Sequence, residues 1–92
     1  MIRTFRHKGI EAFFSSGSKA GIQPKHAAKL AIQLFALDSA TNPLEMNAPS
    51  WNLHPLRGEL DGHCSIAVSG NWRLAFAFDG EDAILVDYLD YH

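Results

Sequence analysis

The apolar residues of this 92-residue chain change their period near residue 50, and that change restricts the fold more than any other feature. Before it, Ile10, Phe13 and Phe14 recur at helical spacing until Ser15-Ser16-Gly17-Ser18 stops them. A second helix follows Pro24, a residue suited to a first helical position because its missing N–H costs nothing there. Ala27, Leu30, Ala31, Leu34 and Leu37 form its apolar stripe, Lys25, His26, Lys29 and Gln33 lie opposite, and Asn42-Pro43 ends it. Beyond residue 50 the period is two. Trp51 and Leu53, then Cys64, Ile66 and Val68, then Trp72, Leu74, Phe76 and Phe78 alternate with small or polar residues. Gly58…Gly62, Gly70-Asn71 and Asp79-Gly80 supply the turns. Residues 83–89 form a fourth, nearly continuous apolar run, as expected of a central strand. With a weak strand at Ile2–Arg6, the order is strand, two helices, then an antiparallel meander. The expectation is an α+β domain with both helices on one side of the sheet.

Residues 1–92 make one domain by length. Composition is globular, with 47% apolar and 20% charged residues. No apolar run approaches the roughly 20 residues that cross a bilayer. Residues 1–6 lack the apolar stretch of a secretion signal, and Cys64 has no cysteine to pair with; the expected compartment is the reducing cytoplasm. The net charge of −2 is unevenly spread. Residues 1–29 hold Arg3, Arg6, Lys8, Lys19, Lys25 and Lys29 against Glu11, a balance of 6 − 1 = +5; the rest hold Arg57 and Arg73 against nine acids, 2 − 9 = −7. A basic segment of this kind fits a polyanion such as RNA, or simply a solvated helix surface.

The alternation turns particular polar side chains away from the core. His54 points opposite to Trp51 and Leu53, and Arg73 opposite to Trp72 and Leu74. Ala75 and Ala77 share the face of Arg73 and are too small to bury it. Such an arginine either meets a phosphate bidentately or pairs with a nearby acid. Asp90, Tyr91 and His92 form a second cluster, at the end of the fourth strand. Two imidazoles, a carboxylate, a phenol and the guanidinium groups of Arg73 and Arg57 are what cleavage of an RNA backbone uses. One group takes the 2′-hydroxyl proton, another protonates the leaving 5′-oxygen, and fixed cations stabilise the five-coordinate phosphate. A metal site from His54, His63, His92 and Asp90 would be the competing chemistry, but no metal-binding spacing supports it. His7 and His26 read as surface residues, and Cys64 as a small core residue.

At these residues the chain resembles the HigB toxins of the RelE/ParE superfamily, the killer halves of type II toxin–antitoxin modules. The resemblance runs from Met1-Ile2-Arg3-Thr4-Phe5-Arg6-His7-Lys8-Gly9 through Leu53-His54-Pro55-Leu56-Arg57-Gly58, Ser65-Ile66-Ala67-Val68 and Asn71-Trp72-Arg73-Leu74 to Asp90-Tyr91-His92. It implies a RelE-like fold and an endoribonuclease that needs neither metal nor cofactor. The implied reaction cuts messenger RNA in the ribosomal A site, inhibiting translation, until a HigA-type helix-turn-helix antitoxin neutralises the toxin in a hetero-oligomer. It also implies that His54, Asp90, Tyr91 and His92 carry activity, assisted by Arg57 and Arg73. Arg3, Arg6, Lys8, Lys19, Lys25 and Lys29 are then expected to meet ribosomal RNA. Two rivals share the fold: a ParE-like protein that binds DNA gyrase without catalysis, and an inactive toxin retained as its antitoxin's partner. The Asp-Tyr-His cluster, which ParE-like proteins lack, favours the nuclease.

Overall fold

The computed structural model describes residues 1–91. Helix α1 spans Lys8–Ser16 and helix α2 Ala27–Ser39; strands β1 (His54–Pro55), β2 (Cys64–Ser69), β3 (Trp72–Asp79) and β4 (Asp82–Asp90) follow. The four strands form one antiparallel sheet in the order β1-β2-β3-β4. Short 3₁₀ turns at Pro24–His26, Pro43–Met46 and Gly58–Leu60 complete the chain. Each boundary has a local cause. His7 caps α1 by accepting the Ile10 N–H at its Nδ1 (3.2 Å), and Gly17 closes the helix in the left-handed region at φ 80°. Pro24 opens the 3₁₀ turn that runs into α2.

Both helices cover one face of the sheet. Ile10, Leu30, Leu34 and Leu37 pack against Ile66, Val68, Leu74, Phe76, Val86 and Tyr88 in a single core. The α+β arrangement expected from the change of period is therefore the observed one. No helix among the described residues is long and apolar enough to cross a membrane.

Three details differ from the sequence reading. First, α2 is turned relative to its expected stripe: His26 and Gln33 are buried at 2% and 0% exposure, whereas Ala31 is exposed. Long-range partners draw the two polar residues inward. Tyr88 Oη lies 2.6 Å from His26 Nδ1, and Gln33 Nε2 donates to the Ala67 carbonyl at 2.8 Å. His7, also assigned to the surface, is half-buried with its ring edge-on to Tyr88. Ile32 and Phe35 of α2 stay outside, 63% and 74% exposed, and Phe35 lines a shallow cavity together with the exposed Phe14 of α1.

Second, the expected strand around Trp51–His54 shrinks to His54–Pro55, because Ser50 and Asn52 adopt left-handed conformations (φ 71° and 51°) incompatible with continuous extension. Third, Ile2–Arg6 makes two isolated parallel bridges to β4, Ile2 to Ala83 and Phe5 to Val86, instead of a full strand. The cause is a bulge in β4: the register against β3 shifts between Ala75 and Ala77, and Leu85 sits at φ 56°. Thr4 compensates, its Oγ1 accepting the Leu85 N–H at 2.8 Å and its carbonyl the Val86 N–H at 3.2 Å.

Candidate active site

The register fixes what faces away from the helices. Across the sheet His54 lies opposite Ser65, Ser65 opposite Ala75, and Ala75 opposite Asp87; in the next row Ala67, Arg73 and Leu89 align. Arg73 is thus a diagonal neighbour of Ser65, within reach of a long side chain. Its Nε–H donates to Ser65 Oγ at 2.8 Å, and Nη2 donates to the Asn52 carbonyl at 2.8 Å. The same Nη2 lies 3.2 Å from His54 Nδ1 and 3.4 Å from the Ser65 carbonyl. None of these partners is a carboxylate, so of the two readings open for Arg73 the ion pair is not the one formed among the described residues. One edge of the guanidinium is nevertheless occupied by the protein. A phosphate would meet the remaining Nη1 amino group, which narrows the bidentate contact expected from the sequence.

His54 is exposed on the same face, its ring next to Arg73. Asn52 turns back in the left-handed region, which asparagine tolerates, and this aims its carbonyl at the guanidinium. Arg57 is exposed at the start of the Gly58–Leu60 turn, three residues from His54. Ser65 and Asn52 are the residues that sequence reasoning missed. Alternation alone put Ser65 on the open face, but only the β2–β3 register shows that it lies under Arg73.

The end of β4 reaches the same end of the sheet by a different route. Asp90 pairs in register with Trp72, on the row of the helix-facing side chains, and is exposed. Burial pushes the pKa of the Tyr88 phenol above its usual value and so disfavours its ionisation; the Gln23 N–H opposes this, and the Asp90 charge adds to it. Tyr91 is exposed and held by its backbone, whose N–H donates to the Asn71 carbonyl at 2.8 Å. His92 lies outside the described residues. The structure thus brings His54 and Arg73 together. It sets Asp90 and Tyr91 at the neighbouring strand end, with Asp90 on Tyr88's side.

Behind that strand end stands an aromatic clamp. Trp72 and Tyr88 stack with centroids 4.4 Å apart, and the His26 ring sits edge-on to both. Burial, then the nearby Lys25 charge, lowers the His26 pKa below its usual 6.5. Burial raises the Cys64 thiol, which keeps it a protonated, packed side chain as the sequence reading had it.

The expected basic residues sit on elements other than the Arg73 strand. Lys8, Lys25 and Lys29 belong to the helical layer, on the other side of the sheet, and Lys19 lies in the loop between the helices. Arg6 is exposed where the N-terminal segment meets the Val86 carbonyl, and Arg3 lies 3.7 Å from both Asp79 and Asp82. No group of three or more His, Cys, Asp or Glu among the described residues could hold a metal ion.

An antiparallel meander with two helices on one face, and an arginine and a histidine on the other, is the arrangement of a RelE-like α+β domain. The family model for RelE-like toxins of the type II toxin–antitoxin system HigB matches residues 3–92, and the chain belongs to that family. It is 39% identical over 92 residues to the endoribonuclease HigB of Proteus vulgaris, covering 100% of both chains.

Proposed function

We propose that this chain is a ribosome-dependent endoribonuclease, cutting messenger RNA in the A site and so arresting translation. The observation that carries the reading is Arg73: a cation seated by neutral acceptors, uncompensated by a carboxylate among the described residues, beside an exposed imidazole. In the proposed reaction the 2′-oxygen of one nucleotide attacks its own 3′-phosphate while a base takes its proton. The P–O5′ bond breaks, and an acid returns a proton to the leaving oxygen. The products are a 2′,3′-cyclic phosphate and a 5′-hydroxyl. Arg73 and Arg57 stabilise the charge on the five-coordinate phosphorus, and Tyr91 stacks on a base. His54, Asp90 and His92 supply the remaining polar and proton-transfer groups.

Dependence on the ribosome has a physical rationale. A mildly acidic chain has weak intrinsic attraction for free RNA. A message held in the A site arrives already bent and oriented, which can contribute about 7–11 kcal/mol to an intramolecular attack. The basic residues Arg6, Lys8, Lys19, Lys25 and Lys29 are the proposed ribosomal contacts, together with Arg3. The neutralising partner is a HigA-type antitoxin; in support, the exposed apolar residues Phe14, Ile32 and Phe35 are flanked by Lys29, one helical turn from Ile32. An acidic amphipathic segment fits that surface. Because the substrate is a translating message, the activity belongs in the cytoplasm.

The test is cleavage of labelled message on programmed ribosomes, compared with the same RNA free. Arg73→Ala is expected to slow cleavage about 10²–10³-fold, the usual loss for one charge-stabilising donor. An unchanged rate in that variant, or equal cleavage of free RNA, rejects the reading.

A further inference from the structure

The contacts of Arg73 bear on which proton His54 carries. A neutral imidazole holds one proton, on Nδ1 or on Nε2. Two groups compete for His54 Nδ1: the Arg73 Nη2, a donor at 3.2 Å, and the Asn52 carbonyl, an acceptor at 3.3 Å. They demand opposite tautomers. The carbonyl already accepts from the same Nη2 at 2.8 Å, so it needs no second donor. A proton on Nδ1 would moreover face a guanidinium N–H, donor against donor, beside a positive charge. A lone pair there accepts from that N–H instead. Arg73 cannot turn aside, because its Nε is bonded to Ser65 Oγ, and Ser65 is fully buried.

We propose that Arg73, seated by Ser65, locks neutral His54 in the tautomer with a bare Nδ1 and its proton on Nε2. Ser65 is a positioning residue that acts through Arg73. The catalytic consequence rests on the nuclease reading. A base must present a lone pair to the 2′-hydroxyl, and the outer nitrogen of this ring presents a hydrogen. His54 therefore serves as a fixed hydrogen-bond donor to a phosphate oxygen, with no proton leaving the ring. Proton transfer falls to other groups at the β4 end.

Two measurements test this, one of them independent of any activity. Nitrogen chemical shifts and long-range proton couplings of the imidazole, recorded by NMR on the intact chain at alkaline pH, report the tautomer directly. The wild type is expected to show His54 protonated at Nε2. Arg73→Gln, and to a smaller extent Ser65→Ala, should bring in the Nδ1-protonated form. An Nδ1-protonated wild type, or a tautomer unmoved in whichever of these variants folds, overturns the lock. In the ribosome assay, His54→Gln keeps an N–H donor but no titratable nitrogen. It should recover at least about tenfold of the activity lost in His54→Ala, as expected for a donor role. Equal loss in both overturns the donor assignment. If the wild type cleaves nothing, the nuclease reading fails, while the NMR result still judges the tautomer.

Discussion

Tyr88→Phe isolates one atom of the clamp behind the strand end. The ring, its stack on Trp72 at 4.4 Å and its place in the core all survive the change. Only the hydroxyl is lost, and with it the 2.6 Å bond to His26 Nδ1 and a weaker 3.4 Å contact from the Gln23 N–H. His26 Nε2 is already buried without a partner among the described residues, so the variant strands both ring nitrogens of a buried imidazole. An orphaned buried polar atom costs about 1–3 kcal/mol. For a domain of this size that lowers the melting temperature by roughly 4–8 °C per kcal/mol. Urea unfolding of wild type, Tyr88→Phe, His26→Leu and the double variant closes a cycle. The hydroxyl should matter in the wild type and hardly at all once His26 is leucine, because replacing both partners leaves nothing unsatisfied. A Tyr88→Phe loss of equal size in both backgrounds would falsify the argument, since it would assign the cost to something other than this pair.

The same imidazole sets a pH dependence. Burial and Lys25 lower the His26 pKa in the folded chain, so below about pH 6.5 the unfolded chain binds a proton that the folded one resists. Stability contributed by neutral His26 is complete above that pH and is lost as pH falls toward the lowered value, by at most about 1.4 kcal/mol per unit; His26→Leu should flatten this limb of a urea-midpoint profile. Thr4→Val removes the acceptor of the Leu85 N–H at the β4 bulge and should cost about 1 kcal/mol, with Thr4→Ser losing much less. Gly9→Ala should cost about 1–3 kcal/mol in the same assay, because the added Cβ would stand 2.7 Å from His7 Cε1 and closer still to the Gly21 carbonyl oxygen, where backbone has to yield.

The architecture was legible because it rests on local rules. The period change marked the helices and the meander, and alternation correctly put Arg73 and His54 on the open face. What escaped were facts of long-range register. His26 and Gln33 look solvent-facing because polar residues on a helix normally are, yet each answers a group 62 or 34 positions away in sequence: the Tyr88 hydroxyl and the Ala67 carbonyl. The bulge at Leu85 carries no glycine to announce it, so the shortened pairing of Ile2–Arg6 followed without a signal.

The end of β4 shows how far alternation reaches when it is followed through the register. Beyond the bulge, Val86 and Tyr88 point to the helices while Asp87 and Leu89 share the open face with Ala75 and Arg73. Continuing the alternation puts Asp90 on the helix side and Tyr91 on the Arg73 side. Asp90 and Tyr91 therefore do not share one surface: alternation assigns them to opposite sides of the sheet where the strand stops. A substrate phosphate at Arg73 and His54 would be approached by Tyr91 from its own side, whereas Asp90 would have to act around the edge, past Trp72. That edge is braced by the Trp72–Tyr88 stack and by the bond from the Tyr91 N–H to the Asn71 carbonyl. Clamp and candidate site are thus joined by a single strand end. A clamp variant that stays folded but shifts Asp90 should lower cleavage without touching Arg73, and the separate rate and stability measurements on Tyr88→Phe distinguish that effect from unfolding.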